Sequence, residues 1–311
     1  MRRLRDRLVP LLGRFPDPYP LRMRVESEEQ LDGYQRQRVS YAVEPGERVS
    51  AYLLLPDGIG ASCPSVLAIH QHAGQYYLGK SEPAGLSADT MYHYGLELCR
   101  RGYVVLCPDH LCFEERRPPE YRRMEHRGIQ DGNYERFEFT RRLLHGSTLQ
   151  TKYLSDLQRA LDLLQGLPMV DPDRIGIIGH SLGGQEVMWL AWYDPRVRVA
   201  VCSCGIGTLR TILRHYVNHN FAAYVPGLLD VCDIDEFVAD IAPTPFLMTA
   251  GDADGIFPID GVRDIGATAA TAYGAAGVQD AFELIVFPGG HGFPAHVRER
   301  SYAFMDRYLK G

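Results

Sequence analysis

Short runs that are apolar at nearly every position recur along this chain, separated by stretches with a helical period. That alternation limits its possible architecture most. The runs are Ser65-Val66-Leu67-Ala68-Ile69, Tyr103-Val104-Val105-Leu106-Cys107, Ile175-Gly176-Ile177-Ile178, Val199-Ala200-Val201-Cys202, Phe246-Leu247-Met248-Thr249 and Phe282-Glu283-Leu284-Ile285-Val286. A strand apolar on both faces must be covered on both, as in a parallel sheet flanked by helices. Leu149, Tyr153, Leu157, Ala160, Leu161 and Leu164 share one helical face, stopped by Gly166 and Pro168. Val297, Ser301, Phe304 and Tyr308 give the last helix a similar face. The expected fold is α/β, a doubly wound, mostly parallel sheet. An antiparallel hairpin precedes it, Gln35 to Val43 and Arg48 to Leu55 around Glu44-Pro45-Gly46-Glu47.

At 311 residues the chain has room for two domains at about 150 residues each. No stretch has linker composition, so a single domain over 1–311 is expected. Three parts stand outside the alternation. Residues 1–34 read as an N-terminal helical extension, with Leu4, Leu8, Leu11 and Leu12 at helical spacing to pack on the body or on a second copy of the chain. Residues 111–145, crowded with Arg and Glu around Pro118-Pro119, read as a mostly solvated insertion, with Glu114 to Arg117 as a brace for nearby loops. Residues 205–240 mix aromatics and histidines and read as a short lid.

Composition excludes several functions. A 45% hydrophobic and 23% charged chain is globular. A net charge of −6 argues against nucleic acid as a partner. Seven cysteines without a CxxC pair indicate neither a disulfide framework nor a zinc ribbon, and no metal-ligand spacing occurs. No apolar run approaches the roughly 20 residues that span a bilayer, and the Arg-interrupted start does not read as a signal peptide. A cytoplasmic protein working without membrane, metal or cofactor is expected.

The chemistry centres on Gly179-His180-Ser181-Leu182-Gly183-Gly184, between the strand Ile175 to Ile178 and a helical run from Gln185. Strand, tight glycine turn and helix would present Ser181 at the strand's carboxyl end as a nucleophile. A serine hydroxyl needs a base. His291, on the Gly-rich loop Phe287-Pro288-Gly289-Gly290-His291-Gly292-Phe293 after the last strand, is best placed. The acid that orients it lies in Gly251-Asp252-Ala253-Asp254-Gly255. Asp254 is the first choice, and Asp252 is the alternative, as a turn cap. The order Ser, Asp, His is that of α/β-hydrolases. Backbone donors for the oxyanion are expected at Leu182 and, after Ile69, at His72. Gln71, His215, Tyr216, Phe221 and Tyr224 are candidates for contacting substrate.

These stretches resemble the α/β-hydrolase superfamily, in its dienelactone-hydrolase-like and acetyl-xylan-esterase-like branch. The resemblance rests on Pro64 to His72, Tyr103 to Asp109, Asp171 to Gly184, Ile241 to Pro258 and Phe287 to Phe293. In IAPTPFLMTAGDADGIFP the family acid matches Asp254, and PDHLCFEER resembles a loop bordering the site in such esterases. Dienelactone hydrolases carry cysteine where this chain has Ser181, so the resemblance implies a serine carboxylesterase acting on small to medium esters. A prolyl-oligopeptidase-like peptidase, a thioesterase or acyltransferase, and a catalytically silent binding protein are the alternatives.

Overall fold

The computed structural model describes residues 3–118, 120 and 130–311. Among them the strands β1 (Arg24–Leu31), β2 (Tyr34–Glu44), β3 (Glu47–Pro56), β4 (Cys63–Ile69), β5 (Val104–Pro108), β6 (Val170–His180), β7 (Val197–Ser203), β8 (Phe246–Gly251) and β9 (Phe282–Phe287) form one sheet. Its order is β1-β2-β3-β5-β4-β6-β7-β8-β9. The first three strands form an antiparallel meander and β3 pairs antiparallel with β5. From β5 across β4 to β9 every pairing is parallel.

Alternation along the central strands sorts the core into two layers. Leu67, Ile69, Leu106, Ile175 and Ile177 face one side, with α1 (Leu4–Leu12), α4 (Leu149–Gln165), α5 (Leu182–Tyr193) and α8 (Ile259–Ala275). Val66, Ala68, Val105, Ile178, Val201 and Leu247 face the other, under α2 (Tyr94–Arg100) and α9 (Ala295–Leu309). The helix α5 is buried along nearly its whole length, so its sequence is apolar all round rather than striped. Among the described residues no helix is long and apolar enough to cross a membrane.

One expectation is corrected here and another is refined. Residues 1–34 are not helical throughout: α1 ends at Leu12, and Arg24–Leu31 is the edge strand of the sheet. Where it is described, the 111–145 segment is exposed or half-buried at most positions, as expected of a solvated insertion, but a few buried side chains anchor it. Leu111, Cys112, Phe113 and Arg116 are buried, and α3 (Gly132–Leu144) buries Glu135 and Glu138. Pro119 and residues 121–129 of that segment lie outside the described residues. The 205–240 segment contains α6 (Leu209–Arg214) and α7 (Ile234–Ala239), and its apolar residues continue the core over the carboxyl end of β7.

Candidate active site

The turn between β6 and α5 holds Ser181 at φ 55°, ψ −118°, a conformation an L-residue adopts only under constraint. Its amide donates to the Ser203 carbonyl (2.8 Å), tying the turn to β7. The glycines make the turn possible. A Cβ on Gly179 would run into the backbone of Gly183, one on Gly183 into the Ile69 carbonyl, and one on Gly184 into Gly205. Strand, helix and the neighbouring β4 therefore close to backbone contact around the serine, which remains 7% exposed in a pocket shared with His291.

The Nδ1–H of His291 donates to Oδ2 of Asp254 at 2.7 Å. The other oxygen of Asp254 accepts the amides of Ile256 (2.9 Å) and Phe257 (3.2 Å), so the buried carboxylate is fixed from both ends. Asp252 accepts instead from the Gly289 amide (2.9 Å), closing the turn that carries the histidine. The imidazole packs against His180 (ring centroids 4.8 Å, tilted) and Phe257 (5.8 Å, stacked). Its Nε2 is buried and has no hydrogen-bond partner among the described residues. Burial, and secondarily the neighbouring His291, push the pKa of His180 well below the usual value, so this second ring is neutral packing.

Opposite lies the loop after β4. The first turn of α5 leaves the Leu182 amide without a helical partner, and the His72 amide donates to no backbone carbonyl among the described residues. The His72 ring is locked. Nδ1 accepts the Gly74 amide (3.0 Å), so Nε2 carries the proton and donates it to Glu135 (2.9 Å). Glu135, 1% exposed, also accepts from the Tyr76 hydroxyl (2.7 Å) and the Phe221 amide (3.1 Å). One carboxylate thus joins the loop after β4, helix α3 and the 205–240 segment. Gln71 is held from behind by Glu82 (2.8 Å), whose carboxyl burial pushes up to about 7 against the opposing pull of that hydrogen bond.

Of the proposed substrate contacts, Gln71 and Phe221 line the pocket of Ser181, and Tyr224 lines an adjoining cavity. His215 and Tyr216 do not. They follow α6 on its solvent side, where Tyr216 is 93% exposed and His215 lies beside Asp260. Glu135, Tyr76, Tyr92, Asn220 and His219 also line the pocket without having been assigned to it from sequence. Glu135 hides among the charges of its segment, and nothing in its spacing marks it.

The ligand atoms of Cys204, Asp254 and His291 lie within 4.8 Å of one another. Asp254 and His291 are already paired, the Cys204 thiol donates to the Gly292 carbonyl (3.4 Å), and burial pushes that thiol up to about 12.

A parallel sheet with a serine elbow after its central strand defines an α/β-hydrolase, the class to which this chain belongs. More narrowly, residues 49–306 match the model of the dienelactone hydrolase family, and the chain is a member of that family. It is 30% identical over 308 residues to "Putative hydrolase YtaP" of Bacillus subtilis (strain 168), with 98% of each chain covered. Among solved structures it is similar to a glucuronoyl esterase from Solibacter usitatus (TM-score 0.72, 16% identity, 100% of this chain and 93% of that one). It is also similar to an acetyl xylan esterase from Paenibacillus sp. R4 (TM-score 0.64, 19% identity, 94% and 90%). The protein is a serine hydrolase of carboxylic esters.

Proposed function

We propose that Ser181, His291 and Asp254 form the catalytic triad of an esterase that works through an acyl-enzyme on small to medium esters. One observation carries the reading. His291 is bound to Asp254 through Nδ1, and its unpartnered Nε2 belongs to the same pocket as the strained Ser181. In the first step Nε2 takes the hydroxyl proton as Oγ bonds to the ester carbonyl carbon. The amides of Leu182 and His72 are the donors for the oxyanion, and the proton passes to the leaving alcohol as the ester C–O bond breaks. Water then attacks the acyl-enzyme, gives its proton to His291, and the carboxylic acid leaves as Ser181 is reprotonated. Asp254 holds the imidazole tautomer and balances its charge while remaining ionised.

The test is hydrolysis of nitrophenyl esters by the wild type and by Ser181→Ala, with labelling by a fluorophosphonate. Ester turnover and labelling, both lost in Ser181→Ala, are expected. Turnover that survives the substitution overturns the assignment, and turnover of aminoacyl nitroanilides in place of esters makes the enzyme a peptidase.

A further inference from the structure

Beside the pocket of Ser181 lies a second cavity of about 350 Å³ with a mostly apolar wall, Asp230 standing at its exposed side. Met188 and Trp189 of α5, Phe139 of α3, Ile212 of α6 and Leu228 all contribute to it. The two spaces share His219. The His219 ring packs on Phe257 (4.5 Å between centroids), and Phe257 in turn packs on His291 (5.8 Å). The cavity is therefore one aromatic ring away from the base. Two of its polar wall groups are already engaged. His219 Nε2 bonds to the Ile256 carbonyl (2.9 Å), and its amide donates to the Tyr224 hydroxyl (2.8 Å). Gln185 donates to Gln150 and Glu186 (both 3.1 Å) and accepts from Asn220 (3.1 Å). Such a wall offers buried area and few free hydrogen bonds.

From this wall we infer that the cavity takes an alkyl or aryl arm of the ester, so that the preferred substrates carry an apolar group well beyond a methyl on one side of the scissile bond. This rests on Ser181 being the nucleophile. A single methyl would leave most of the space empty, whereas an apolar chain entering it leaves water for a dry wall. Each methylene so buried raises kcat/KM by about fourfold while room remains.

Gly207 supplies the means to fill the cavity. Its φ is not in the left-handed region, and a Cβ there would make ordinary contact with Phe257 (3.6 Å) and Ile212 (3.8 Å). The experiment measures kcat/KM over nitrophenyl esters of increasing acyl length and over acetates of increasing alcohol length. It compares the wild type with Gly207→Leu and Ala223→Leu, the two filled variants placed on different walls. In the wild type kcat/KM should climb along at least one series. In each filled variant that folds, as shown by fluorophosphonate labelling, the six-carbon to two-carbon ratio should fall at least tenfold. A wild-type profile that is flat or falling in both series overturns the inference, as does a climb that persists in a labelled filled variant. Ser181→Ala, assayed on the acetate, reports separately on the nucleophile.

Discussion

Two aspartates two residues apart have been given different work, and the difference is a matter of which atoms they reach. Asp254 meets the imidazole, whereas among the described residues the Asp252 carboxylate accepts the Gly289 amide. Asp254→Asn should therefore lower kcat by about 10⁴-fold, because the amide favours the wrong imidazole tautomer. Asp252→Asn should lower it far less, since a turn loses one hydrogen bond. Steady-state kinetics of the two variants decides, and equal losses would return the acid's role to an open choice between them. Glu135 is a positioning residue of another kind, touching the His72 ring rather than the reacting atoms. Glu135→Gln leaves one acceptor where three donors converge. It should cost up to about 100-fold in kcat, on the scale of one oxyanion donor, with KM nearly unchanged. Glu135→Asp should recover part of the loss, and a change confined to KM would refute the role. Ser181, His291 and Asp254 were legible because each ends a strand in a glycine-rich turn. Glu135 was not, because its importance comes from three partners distant in sequence. His215 and Tyr216 misled because an aromatic, histidine-rich stretch shows nothing of which side faces inward.

The elbow helix carries the tightest constraints among the elements. Gly183→Ala would set a methyl group against the Ile69 and His70 carbonyls, so β4 and α5 must separate. A loss of roughly 1–3 kcal/mol or more is expected in denaturant unfolding, together with reduced turnover. One turn past the serine, Glu186 is fully buried with amides on both oxygens. Burial, opposed by those amides, raises its carboxyl to about 8. The unfolded chain releases that proton near pH 4.5, whereas the folded chain keeps it until about 8, so the folded state holds more protons between these limits. Stability must then fall as pH rises through that window, by up to ~1.4 kcal/mol per pH unit for one group, and level off above it. Glu82, raised to about 7, adds a smaller share with the same sign. Melting temperatures from pH 5 to 9 should show the decline and Glu186→Gln should flatten it, while an unchanged slope would mean that Glu186 ionises inside the fold. The sheet's middle was legible because its strands are apolar on both faces. The edge strand β1 was not, since RVESEEQL is almost entirely exposed and alternates in nothing. The buried acids of α3 were hidden likewise, because their partners rather than their own polarity decide their burial.

At the scale of the whole molecule, the N-terminal segment reaches the far end of the elbow helix. Leu8 and Leu12 of α1 are fully buried in the chain's own core. Arg5 donates to the carbonyls of Trp192 (3.3 Å) and Tyr193 (3.0 Å), the last residues of α5, where a cation also complements the helix dipole. Phe15 stacks on Tyr193 (5.4 Å), and the Arg14 amide reaches the Gly146 carbonyl (2.9 Å) ahead of α4. Deleting residues 1–15 therefore removes a wall of the core and the C-terminal cap of the helix that begins beside Ser181. Two leucines alone are worth about 3–6 kcal/mol at 1.5–3 kcal/mol each. A domain typically has only about 5–15 kcal/mol in total. The truncated chain should unfold at a markedly lower temperature and denaturant concentration, and lose activity on mild warming before the full chain does. Thermal melts paired with mass measurement in solution separate this from the other role open to an amphipathic N-terminal helix. If the melting temperature holds while the assembly becomes smaller, α1 serves between copies of the chain. If it drops at constant mass, the helix is a strut that holds α5, and with it the serine turn, against the sheet.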